Sequence, residues 1–209
     1  MNELEKKAYE LAKIIYGKNK RPLTQIKRIR HVENIVKILR KVEHTDEMLA
    51  SAWLFDALDR INLTDESRIK FLKDIRQGFG IKTAKLLDGC LPKATRAEYS
   101  KLFDRMIKDI EHYAVSSAQA QSIKLADTLE YLQSLRALYF YTAVGDGNKR
   151  KLVLKNQRLA ADMQTAERLV KADNKIRQEL IDTVNLMHKE IDEKLLTSDK
   201  MKQAETADA

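Results

Sequence analysis

An all-helical fold is predicted by three features of this 209-residue sequence. Apolar residues recur at helical spacing through most of the chain, and helix breakers are scarce, with 6 Gly and 2 Pro. Two matching start signals, Thr45-Asp46-Glu47 and Thr64-Asp65-Glu66, each place a capping hydroxyl ahead of two carboxylates that favour a helix N-terminus. The composition, 44% hydrophobic and 33% charged, suits a water-facing helical domain and excludes a disordered chain. Almost no strand is expected, and no internal repeat is evident.

The elements follow in order. Leu4, Ala8, Leu11, Ala12 and Ile15 mark one face of a first helix, which Gly17 and Asn19 end. A basic loop, KNKRPLTQIKRIR, follows with Pro22 in its irregular part, and Ile29, Val32, Ile35, Val36, Leu39 and Val42 then define a helix carrying His31 near its start. Thr45 caps a helix through MLASAWLFDAL. Thr64 starts another that ends near Gly78, with a short helix over 81–88 closed by Gly89 and Pro92. Apolar stripes predict helices over 96–113 and 118–138, the latter with Ile123, Ala126, Leu129 and Leu132 inward. GDGNK at 145–149 is the clearest break, and long charged helices follow it up to a tail, ETADA, expected to fray.

The formal charge of +8 suits a polyanionic partner, a nucleotide or a nucleic acid, although charges dispersed along helices produce the same sum. The single cysteine, Cys90, excludes an internal disulfide and fits a buried small hydrophobe in a reducing compartment. The N-terminal MNELEKKAYELAKIIYG is amphipathic and lacks a signal peptide's apolar centre, and ALYFYTAV at 137–144 is too short to span a bilayer. A cytoplasmic location with no membrane contact is the expectation.

Three polar residues, His31, Asp56 and Asp127, lie within or beside apolar helical stretches. A buried carboxylate without a partner is costly, so such residues persist when paired or metal-bound; taken singly, each also suits a surface position or a satisfied core group. Their order carries more information. RHVENIVKIL, WLFDALDR, FGIKTAKLLDG and VSSAQAQSIKLADTLEYL occur in sequence. That order resembles the HD-domain metal-dependent phosphohydrolases and is most similar to the hydrolase domain of the RelA/SpoT group and its small stand-alone alarmone hydrolases.

The resemblance implies an HD-domain-like helical bundle over residues 1–144 and a helical C-terminal extension over 145–209. It implies a divalent ion, Mn²⁺ by preference, held by His31, Asp56 and Asp127 and activating a water for attack on phosphorus. Asp59 then matches the acidic residue that positions or deprotonates that water, one turn beyond Asp56. Lys20 and Arg21 match the cations that hold substrate phosphates, and Tyr131 stands where the family places an Asn that helps bind the nucleotide. The implied substrate is a guanosine polyphosphate, hydrolysed by a (p)ppGpp 3'-pyrophosphohydrolase if the protein is active.

Several positions depart from the family. Phe55 replaces the His of the HD pair, and a phenyl ring offers no lone pair to a metal, so the ion is expected to be weakly held or lost. Arg60 replaces a second acidic residue, Thr128 a basic one, and the family's aromatic and Pro around the first His are absent. A rival expectation is therefore a catalytically degenerate HD fold that binds a nucleotide or serves as an interaction module. A basic nucleic-acid-binding protein using the loop and KRKLVLKNQR ranks last, because no stacking aromatics interleave these charges. The helices after residue 145 are expected to pack on the domain or to mediate self-association.

Overall fold

The computed structural model describes residues 1–21, 25–60, 64–94, 102–139 and 158–207, with the side chains at 58–60, 102–103, 138–139 and 195–207 outside the described set. Helices account for the architecture. Among the described residues the only β pairing is an isolated antiparallel bridge between Lys20 and Lys27, which pins the two ends of the basic loop together. No described helix is long and apolar enough to cross a membrane.

Helix α1 (Glu3–Tyr16) starts where Asn2 accepts the Glu5 N–H at 2.7 Å, and it ends at Gly17, whose φ of 49° a residue with a Cβ rarely adopts. Its most buried face differs from the apolar stripe expected. Glu5, Ala8, Ala12 and Tyr16 point inward while Leu4, Leu11 and Ile15 are only partly buried. Partners on other helices turn the face: Glu5 accepts from Trp53 Nε1 at 3.0 Å and Arg40 Nη2 at 2.6 Å, and Tyr16 donates to the Trp53 carbonyl at 3.0 Å.

Helix α2 (Arg28–Leu39) carries His31 in its first turn. Helix α3 (Asp46–Leu54) begins at the expected cap, with Thr45 accepting the Met48 N–H at 3.3 Å, and every residue from Met48 to Leu54 is buried. WLFDALDR does not continue it as α-helix. From Phe55 to Arg60 the chain tightens into a 3-10 turn, in which positions three apart eclipse, so 56 and 59 still fall on one side.

Helix α4 (Asp65–Cys90) opens with a reciprocal capping box between Thr64 and Ser67 and is kinked at Gly80 (φ 89°, ψ 165°). The break expected near Gly78 thus falls two residues later, and the expected short helix is the second arm of the kink. Helix α5 (Leu102–Val115) leads into α6 (Ala118–Tyr139). Helix α7, whose described part is 158–168, precedes α8 (Asn174–Ala207), which continues as helix into the ETADA segment expected to fray.

α3 and α6 form the centre. α3 packs against α1, α2, α4 and α6, and α6 packs against α2, α4, α5 and α8. Ile123, Ala126, Leu129 and Leu132 are fully buried as expected, and Ile176, Leu180, Val184, Met187 and Ile191 of α8 join the same core. Arg136 of α6 clamps Glu190 of α8 through Nε and Nη2 at 2.8–3.1 Å. Because the middle of α6, residues 120–132, is covered on nearly every side, its polar residues are buried with it, Asp127, Thr128 and Glu130 among them. Each of these must find a partner inside.

Candidate functional site

His31 and Asp127 meet where α2 crosses α6. His31 Nε2 lies 3.0 Å from Asp127 Oδ1, and Nδ1 pairs with Glu130 Oε2 one turn further along α6. Glu130 is fixed in turn by Asn34 Nδ2 at 3.1 Å and Ser134 Oγ at 2.8 Å, both donating to Oε1. The imidazole is almost wholly buried. Burial alone pushes its pKa down, but the bonds to Asp127 and Glu130 outweigh that and raise it, with the Arg21 charge opposing.

Cations surround these acids. Lys124, three residues before Asp127, donates from Nζ to Oδ2 at 2.6 Å, and Arg21 Nη1 pairs with His31 Nε2 and lies 3.5 Å from Asp127 Oδ1. Burial would raise the Asp127 carboxyl; Lys124, the His31 bond and Arg21 overcome it and hold the group well below the ordinary carboxylate range. Asp56, buried in the 3-10 turn, accepts from Arg28 Nη1 at 3.1 Å, and the same Nη1 reaches the Asp56 carbonyl at 3.3 Å.

A cavity of about 220 Å³ opens beside this cluster. Its wall includes Arg21, Phe55, Asp56, Lys124, Asp127 and Tyr131, and it is closed on another side by Arg158, Asp162 and Thr165 of α7. The Tyr131 ring carries two guanidinium groups, Arg21 with its Cζ 5.2 Å from the ring centroid and Arg158 at 4.8 Å. Arg158 Nε is buried and has no hydrogen-bond acceptor among the described residues. Cys90, also on the wall, is fully buried, which pushes its thiol up to about 12, so it is no nucleophile there.

Of the residues singled out from sequence, Asp56, Asp127, Arg21 and Tyr131 therefore line one cavity, and His31, which does not line it, bonds Asp127 on its wall. Lys20 is exposed and does not line it. The Asp59 side chain lies outside the described set, as does that of Arg60. Two of the three other histidines are engaged elsewhere: His112 Nε2 bonds the Asp88 carbonyl at 2.9 Å and His44 Nδ1 the Val42 carbonyl at 2.8 Å. Sequence inspection missed the roles of Arg28, Lys124, Glu130 and Arg158. Lys124 and Glu130 were discernible as one-turn neighbours of Asp127; Arg28 and Arg158 were part of charge runs with nothing to single them out.

The side chains so arranged do not fit a divalent ion. Phe55 has no donor atom, and each expected carboxylate ligand is already neutralised by a cation of the chain. His31 offers no lone pair in either protonation state: charged, it donates to Asp127 and Glu130; neutral with its proton on Nδ1, it accepts from Arg21. Among the described residues no three His, Cys, Asp or Glu side chains form a set able to hold a metal.

Comparison with known structures supports the architecture. A metazoan ortholog of SpoT that hydrolyzes ppGpp superposes with a TM-score of 0.68 at 19% identity, over 89% of this chain and 96% of that one. A crystal structure of a protein from Listeria monocytogenes EGD-e superposes with a TM-score of 0.57 at 18% identity, over 76% of this chain and 99% of that one. At such identities the likeness shows the fold alone. No curated protein matches the sequence. The HD-domain family profile matches residues 8–144, the span that contributes His31, Asp56 and Asp127, and the chain belongs to the HD-domain family.

Proposed function

We propose that this HD-domain protein binds a guanosine polyphosphate-type nucleotide in the cavity between α6, α7 and the basic loop, and that it binds without efficient turnover. The observation that carries this is the set of cations converging on one small cavity, Arg21 and Arg158 over the Tyr131 ring and Lys124 on the same wall. Guanidinium groups form paired hydrogen bonds to phosphate oxygens, and stacking on a ring limits their freedom before the ligand arrives. Arg158 Nε, a buried donor with no acceptor among the described residues, is the kind of group a phosphate oxygen satisfies. Asp162 on the same wall supplies carboxylate acceptors of the type that guanine N1–H and its amino group require.

In the family, a divalent ion when bound supplies an activated water. Here the chain's own groups do other work: Lys124 and Arg21 keep Asp127 ionised, Phe55 presents an apolar ring to the cavity, and Glu130 orients His31. The HD span 8–144 provides most of the wall and α7 closes it. We assign phosphate contacts to Arg21 and place Tyr131 against the nucleotide; Lys20, exposed at the loop, adds attraction at longer range.

The test is calorimetric titration with ppGpp and with GDP, alongside measurement of pyrophosphate release with Mn²⁺ present. Binding of ppGpp in preference to GDP, weakened in a Lys20→Ala/Arg21→Ala variant and at high salt, is expected, with negligible release. No binding at low salt would refute the reading; rapid pyrophosphate release would replace it with an active hydrolase.

A further inference from the structure

We infer that the Arg21 guanidinium has taken the place of the divalent ion at the centre of this HD site, so that the chain carries its own cation and the pocket is assembled without metal. A divalent ion in such a site would draw together one imidazole nitrogen and a carboxylate from another helix. In this protein Arg21 Nη1 contacts both groups, His31 Nε2 and Asp127 Oδ1, and by doing so ties the basic loop to α2 and α6. The other charges are arranged to match. Arg28 neutralises Asp56 and Lys124 takes the second oxygen of Asp127, so neither carboxylate retains the uncompensated charge that would attract an ion.

Phe55 fits the same scheme. Its ring lines the cavity and lies 6.4 Å from the His31 ring, centroid to centroid, giving the imidazole an apolar neighbour in the position of the missing ligand. An arginine in that setting differs chemically from a metal. Its charge does not depend on pH or on chelators, and its planar fork suits phosphate or carboxylate oxygens, yet it does not convert bound water to hydroxide at neutral pH as a divalent metal does. The site that results holds an anion and lacks the means to generate the hydrolytic nucleophile.

The inference rests on the HD placement of His31, Asp56 and Asp127 and is independent of which nucleotide is bound. It is tested by the effect of Mn²⁺ alone on thermal unfolding and by calorimetric Mn²⁺ titration of the full chain. Wild type and Phe55→His should show neither a shift in melting temperature nor saturable binding, because Arg21 still engages His31 and Asp127. Phe55→His combined with Arg21→Ala exposes two former ligands beside a new one and should gain at least about tenfold in Mn²⁺ affinity over Phe55→His, a change of the size that rearranging groups around a metal produces. Saturable Mn²⁺ binding by wild type or by Phe55→His overturns the inference, as does a folded double variant with no gain. If the double variant does not fold, the first two proteins decide. In parallel, ppGpp should bind in EDTA, because the pocket needs no metal to assemble, and binding that appears only once Mn²⁺ is added would also overturn it. Absence of ppGpp binding in both buffers refutes the nucleotide assignment and leaves the Mn²⁺ result to decide this one.

Discussion

Two buried charge clusters involve opposite ends of α2, His31 in its first turn and Arg40 at its C-cap, and they differ in what surrounds them. At the α1 corner, Glu5 is enclosed by Trp53 Nε1 and Arg40, and the arrangement is complete: one carboxylate, two donors, and Arg40 reaching solvent. At the α2–α6 crossing, Asp127 and Glu130 share His31, Asp127 also holds Arg21 and Lys124, and the cluster opens onto a cavity where Arg158 brings a further cation. The first is what a protein needs to bury a carboxylate. The second brings more charge together than burial requires, and such surplus is the mark of a site that meets a ligand.

If that distinction is sound, the largest effect belongs to Asp127→Asn. It leaves Lys124 and Arg21 facing a neutral amide in a largely buried place, so chemical denaturation should report a loss of about 3 kcal/mol, at the low end for breaking a buried pair. Nucleotide binding should change as well. Preserved stability would place Asp127 among the dispensable charges.

Next comes Gly89→Ala, which sharpens the comparison by disturbing the site through packing alone. A Cβ there would meet Ala120 Cβ at 2.9 Å and Ser116 Cβ at 3.3 Å, so α4 must move off α6. Overpacking of this kind costs about 2 kcal/mol. The thermal midpoint should fall, while a protein that melts unchanged would show the α4–α6 contact to be looser than drawn.

Glu5→Gln is the counterpart at the structural corner. The amide still accepts from Trp53, and Arg40 is half in solvent, so a loss of only about 1 kcal/mol is expected. Ligand affinity should match wild type. A large fall in ppGpp binding would erase the difference drawn between the two clusters.

The smallest effect is a pH dependence at His112. Burial is the first cause that lowers its pKa, the Lys93 charge acts in the same direction, and the bond to the Asp88 carbonyl opposes them. Its folded pKa lies below that of the unfolded chain, so the unfolded state binds more protons between the two values. The stability it contributes is complete above about pH 6.5 and is lost as pH falls through the folded value. His31, raised in the fold, acts oppositely, its contribution present below about pH 6.5 and lost as pH rises. Subtracting the melting profile of His112→Gln from that of wild type isolates the His112 contribution, which should decline as pH falls below about 6.5; a flat difference would show that the fold does not lower the His112 pKa.

The helices and their starts were legible from sequence because they depend on local chemistry. Thr45 and Thr64 cap where their hydroxyls predict, and the inward residues of α6 follow the 3.6-residue period. Motif order likewise singles out His31, Asp56, Asp127, Arg21 and Tyr131. What local chemistry does not specify is which partner a buried charge meets. The apolar stripe expected for α1 left Glu5 out, and only α3 and the segment following α2 turn it inward. Arg28 stood in a basic run with nothing to single it out, and Arg21 was expected at substrate phosphates; the Lys20–Lys27 pairing and the α2–α6 crossing aim them at Asp56 and His31. Arg158, about 30 residues beyond Asp127 in the chain, joins the cavity only because α8 packs on α6 and α7 precedes it. Electrostatic pairing in a buried site acts over a few ångströms in space, whatever the separation in sequence. The chain's own residues thus determined helices, core and candidate ligands, and the tertiary structure decided that the cations stand among those ligands.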